Sequence, residues 1–136
     1  MRKLIFVSFL LLLTGACAGE VAPPQNIDKE FLVGSWQMVG MSKEVVPPQS
    51  VGKSDLLEGQ MNFNADGTFT GDFVYPKNPE RNTKAFGTYR IDAGILIISN
   101  QSNDSLTKSE LSVRENILIV KPLVRDGFVM YLRRSS

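Results

Sequence analysis

After residue 30 the chain reads as short segments in which apolar and polar residues alternate. Met61 and Phe63 fall in one phase, as do Phe69, Gly71, Phe73 and Tyr75, and again Ala85, Gly87, Tyr89 and Ile91. A period of two puts one set of side chains on the buried face of a strand. The pattern predicts eight strands, at 34–41, 59–64, 68–75, 84–91, 95–99, 106–113, 117–120 and 128–133. Turn signals separate several of them: Ala65-Asp66-Gly67, Asp92-Ala93-Gly94, Arg114-Glu115-Asn116 and Asp126-Gly127. Pro47-Pro48 interrupts any regular element, so 42–58 is expected to be a long loop with at most one helical turn around Ser54 to Leu57.

Joined in order, these strands predict an all-β fold, an eight-stranded up-and-down antiparallel β-barrel. In such a meander the connections alternate between the two ends. Those at 42–58, 76–83, 100–105 and 121–127 are long or polar and share one end, while the tight turns share the other. This sorting predicts an open mouth and a closed floor. Trp36 near the start of the first strand and Arg133 near the end of the last are both expected at the floor. A guanidinium stacked on the indole would seal it. Eight strands enclose room for side chains or one small ligand.

The first residues follow a different pattern. Arg2-Lys3 precede an apolar run from Leu4 to Leu13 that is too short to span a bilayer. Leu13-Thr14-Gly15-Ala16-Cys17 fits a lipoprotein processing site at which Cys17 becomes the lipidated first residue. Ala16-Cys17-Ala18 also fits ordinary secretory cleavage, which would discard the cysteine and leave a soluble secreted or periplasmic protein. The lipoprotein reading is preferred, because the sole cysteine falls at the end of the apolar run. The expected organisation is a signal peptide at 1–16, a Pro-containing tether at 17–30 and a barrel at 31–136. Export to the cell envelope is expected, and Ala18 after the cysteine leans towards the outer membrane.

With the strands placed, the chain resembles the small bacterial lipocalin-like lipoproteins. Gly34-Ser35-Trp36 matches the Gly-x-Trp that opens the first strand of lipocalins. Arg133, or Arg134 if the register differs by one, matches the late arginine that covers the tryptophan. Phe63-Asn64-Ala65-Asp66-Gly67-Thr68-Phe69 and Gly87-Thr88-Tyr89 match the hairpin and strand motifs of the bacterial group. There is no Thr-Asp-Tyr motif of the larger lipocalins. The resemblance implies a structural floor of Gly34, Trp36 and Arg133, and leaves the ligand open.

Composition narrows the chemistry. With 15 basic and 14 acidic residues the net charge is +1, and losing Arg2 and Lys3 leaves one excess negative charge. A near-neutral body without a basic stripe argues against nucleic acid. The chain has no histidine and one cysteine, so no histidine-based catalysis or metal site and no internal disulfide are available. No paired carboxylates, nucleophile motif or phosphate loop stands out. No catalytic residue, metal or cofactor is therefore expected, and the protein is read as a non-enzyme. Phe73, Tyr75, Tyr89 and Tyr131 are the candidates to contact a small apolar or amphipathic ligand. Gly71, Ala85 and Gly87 would leave it room. Lys77, Glu80 and Arg81 read as solvated loop. The alternative is a filled barrel that serves envelope assembly through its loops, where Val45, Val46 and Val51 would be exposed.

Overall fold

The computed structural model describes residues 27–52 and 57–135. The predicted signal peptide, Cys17, the tether up to residue 26 and most of the expected turn around Ser54 to Leu57 lie outside the described residues. The strands are β1 Gly34–Ser42, β2 Glu58–Phe63, β3 Thr68–Val74, β4 Thr83–Asp92, β5 Ile95–Asn100, β6 Ser105–Arg114, β7 Ile117–Pro122 and β8 Val129–Arg134. Each pairs antiparallel with the next, and β8 pairs with β1, so the sheet closes as a barrel.

The floor turns explain their own sequences. Ala93 and Gly94 both take positive φ, as do Glu115 and Asn116, giving the two-residue turns whose twist suits a hairpin. Between β2 and β3, Asp66 Oδ1 accepts from Thr68 N (2.9 Å) and Thr68 Oγ1 (2.6 Å), and Gly67 takes φ +87°. These bonds, Thr68's hydroxyl first, hold the Asp66 carboxyl below its ordinary range.

The floor itself is built on Trp36. A single helical turn, α1 (Lys29–Leu32), is capped by Asp28, whose Oδ1 accepts from Phe31 N (2.9 Å). The turn sets Leu32 O to accept from Trp36 Nε1 at 2.8 Å and brings the Phe31 ring to 5.8 Å from the indole. The arginine that covers Trp36 is Arg134, its Cζ 4.4 Å from the Trp36 ring and 5.3 Å from Phe31. Arg134 also donates to Val33 O (2.9 Å) and to Phe31 O. Gly34, at φ +131°, lies where a Cβ would stand 2.9 Å from Arg134 Nη1. Glycine is thus needed both for the backbone conformation and for the guanidinium's approach.

Arg133, the expected floor residue, is displaced by one register position. It pairs with Gln37 and Ile117 on the outside of the barrel. Ile27, assigned by sequence to the tether, is 5% exposed and already part of the barrel core.

The interior is filled by Trp36, Met61, Phe63, Phe69, Tyr89, Leu96, Leu118 and Leu132, among others. A second, smaller core lies outside the barrel wall. Ile117, Ile119, Val129 and Tyr131 point outward from β7 and β8 and are covered by Val39, Val46 and Val51. A bulge in β1 between Met38 and Gly40 makes this fit, because Val39 packs into the outer core and the strand resumes its pairing beyond it.

Candidate functional site

The four mouth connections meet at the end of the barrel opposite Trp36. A cleft of about 390 Å³ lies there, lined from the β1–β2, β3–β4 and β7–β8 connections and the end of β1. Its apolar wall is made by Met41 at the end of β1, Leu57 before β2, Tyr75 after β3 and Phe128 before β8. Its polar side is Lys77, Asn78 and Arg81, all from the β3–β4 connection. The volume and the mixture of apolar wall with a few polar groups are those of a small-molecule site.

The β3–β4 connection is fixed by its own hydrogen bonds. Asn78 N donates to Tyr75 O (3.0 Å), Arg81 N to Asn78 O (2.9 Å), and Tyr75 N to Asn82 Oδ1 (2.8 Å). Pro79 opens the 3-10 turn Pro79–Arg81, where its missing N–H costs nothing. Arg81 lies over the Tyr75 ring, Cζ 4.8 Å from its centroid. With its amide oriented to satisfy both partners, Asn78 donates to Lys77 O (3.1 Å) and Glu80 Oε1 (3.3 Å).

Of the four aromatic residues that sequence pattern nominated, only Tyr75 lines this cleft. Phe73 packs inside the barrel over two glycines. Its ring lies 3.1 Å from where a Gly59 Cβ would be and 3.0 Å from that of Gly71. Tyr89 is at the floor, where its hydroxyl donates to Asn64 O (2.7 Å) and its ring meets Phe63 edge-on at 5.0 Å. Burial, with a smaller contribution from the Asp66 carboxylate, pushes its phenol above the ordinary value.

Tyr131, nominated for the interior, belongs to the outer core and is 0% exposed. Its hydroxyl accepts from Val46 N (2.9 Å), shares a hydrogen with Ser42 Oγ (2.8 Å) and donates to Glu44 O (3.4 Å). The tyrosine therefore straps the β1–β2 connection to the barrel wall. Val46 and Val51, expected to be exposed, pack on that wall; Val45 is exposed. The space expected at Gly71 and Gly87 is also taken. The Phe73 ring occupies the first, and Ser99 O stands 2.0 Å from a Gly87 Cβ position.

Tyr131→Phe should leave the barrel intact and lower stability by about 1–1.5 kcal/mol, the worth of a buried hydroxyl with neutral partners. Amide exchange at Val46 should speed up most. Unchanged protection of that amide would mean that the hydroxyl does not hold the strap.

Lys77 and Arg81 are the functional candidates that sequence pattern passed over, since a charged Pro-containing loop reads as solvent-facing. Nothing in the local sequence shows that Met41, Leu57 and Phe128 come to lie beside them.

A family model described as a lipocalin-like domain matches residues 32–120. The chain belongs to the lipocalin-like domain family. The match starts at Leu32, in the turn that carries the indole's acceptor, and ends within β7. The closing strand β8, with Arg134, lies beyond the matched part of this lipocalin-like barrel. Crystal structures of two single-substitution mutants of the fluorescent protein UnaG are similar at 12% identity. Their TM-scores are 0.47 and 0.46, covering 79% and 78% of this chain and 98% and 97% of theirs. Comparison with curated proteins finds no match.

Proposed function

We propose that this lipocalin-like protein is an exported, lipid-anchored carrier that binds a small amphipathic molecule at the barrel mouth and performs no chemistry on it. The mouth cleft carries this reading, with its apolar wall of Met41, Leu57, Tyr75 and Phe128 and its narrow polar side. Burial of apolar ligand surface supplies the affinity. The interior below is packed, so the ligand sits at the mouth and does not reach deep into the barrel.

Export and anchoring rest on the leader and Cys17. Asp28 and Lys29 enter beside the floor, where Lys29 Nζ is 3.8 Å from a Gly67 Cβ position. A lipid on Cys17 would therefore tether the floor end and leave the cleft facing away from the bilayer.

Native mass spectrometry of the mature protein from its own host tests the carrier reading. A small molecule retained at fixed stoichiometry is expected. Phe128→Asp should weaken its binding on the order of tenfold or more while the fold persists, since Phe128 is 48% exposed. A clean apo mass, with no uptake from a lipid mixture, would favour a second reading, a filled barrel serving envelope assembly. The packed interior, the exposed Leu106 at the start of β6 and the exposed Leu123 and Val124 in the β7–β8 connection favour that alternative.

A further inference from the structure

We infer that the ligand of the mouth cleft is a single-chain anionic amphiphile, a carboxylate or sulfonate, whose head is held by Lys77 and Arg81. This rests on the cleft being the ligand site and adds the charge and shape of what enters it.

The two cations sit four residues apart on one loop and both line the cleft. Among the described residues neither forms an ion pair with a carboxylate. Glu80, the acidic residue between them, is engaged by the Asn78 amide. The cleft thus offers two positive charges at the end of an apolar wall.

The geometry of Arg81 sharpens this. Its guanidinium carbon lies 4.8 Å from the centre of the Tyr75 ring, which places the cation at the apolar wall. No carboxylate among the described residues takes its N–H groups, and a guanidinium binds a planar or tetrahedral oxyanion with two parallel hydrogen bonds. The loop is held by its internal bonds to Tyr75, Asn78 and Asn82. Little ordering cost is then left for the moment of binding. Met41, Leu57 and Phe128 provide apolar lining for a chain. A neutral head gains nothing from the two charges and a cationic head is repelled by them.

The chain from Ala18 onward contains the whole closed barrel and carries no lipid, so it can be titrated without detergent. Calorimetry with decanoate, decane-1-sulfonate, decan-1-ol and decyltrimethylammonium, each below its micellar concentration, separates head from tail. Both anions are expected to bind about tenfold or more tighter than the alcohol and the cation, as charge-assisted pairs require. In Lys77→Gln/Arg81→Gln that preference should vanish. Equal binding of the alcohol or the cation, or an anion preference that survives in the double variant, would overturn the inference and leave the cleft as a ligand site. No binding of any of the four, with Phe128→Asp indistinguishable from the parent, would overturn both the inference and the reading on which it rests.

Discussion

Trp36→Ala is expected to remove about 3–5 kcal/mol of stability, the range for truncating a large buried aromatic side chain. Trp36 is 1% exposed, donates to Leu32 O and lies beneath Arg134. The cavity left behind cannot close easily, because β1 is hydrogen-bonded to β2 on one side and β8 on the other. Set against a typical total of about 5–15 kcal/mol, this brings the barrel close to unfolding, and chemical denaturation should show it directly. Arg134→Ala removes the guanidinium from above the indole together with two bonds to backbone carbonyls. Because that side chain is partly in water, its loss should cost less, about 2 kcal/mol. Arg133→Ala should change stability by less than about 0.5 kcal/mol, as for a surface position with no special partner. A larger loss at Arg133 than at Arg134 would mean that Arg134 does not cover the indole.

The contrast between those two arginines also marks where the sequence stops being legible. The eight strands could be read because alternation marked β2, β3 and β4, and turn or breaker signals such as Asp66-Gly67, Asp126-Gly127 and Pro47-Pro48 set off the apolar runs of the others. The inward face of the last strand could not. A slip of one residue exchanges every side chain between faces, and alternation detects it only where one face is polar. Ile117, Leu118, Ile119 and Val120 are all buried, and Val129, Tyr131 and Leu132 are buried together in β8. Both faces are apolar there because the β1–β2 connection folds back over the barrel and gives the wall a second core. A strand covered on both sides has no phase to read, so its sequence places Tyr131 in the cavity as readily as in the outer core. The cleft was hidden for another reason. Its walls come from Met41 and Leu57 at the two ends of the β1–β2 connection, Tyr75 after β3 and Phe128 before β8, and its cations from a loop whose composition is that of ordinary surface. Only the closure of the barrel brings them together.

The strap over the outer core and the cleft at the mouth share the same segment of chain, so Gly40→Val should disturb both. A Cβ on Gly40 would lie 2.1 Å from Val51 Cγ1 and 2.9 Å from Gly52 O. The valine side chain could rotate, but the carbonyl moves only with its backbone, so the connection must lift. Overpacking of this kind costs about 1–3 kcal/mol, and the bonds of Tyr131 to Val46 and Glu44 would be strained or lost with it. The expected total is about 3 kcal/mol, with rapid proteolytic nicking within 43–52. Gly52→Ala is the matched control, since nothing lies within 4 Å of its Cβ position. That variant should behave like the parent. Met41 and Leu57 flank the lifted segment, one at each end, and both form walls of the cleft. Lifting the strap should therefore weaken decanoate binding on the order of tenfold, although Gly40 itself faces away from the cleft. If Gly40→Val kept full affinity while its strap became protease-sensitive, the mouth would be held open by the barrel strands alone, and the outer core would serve stability without shaping the site.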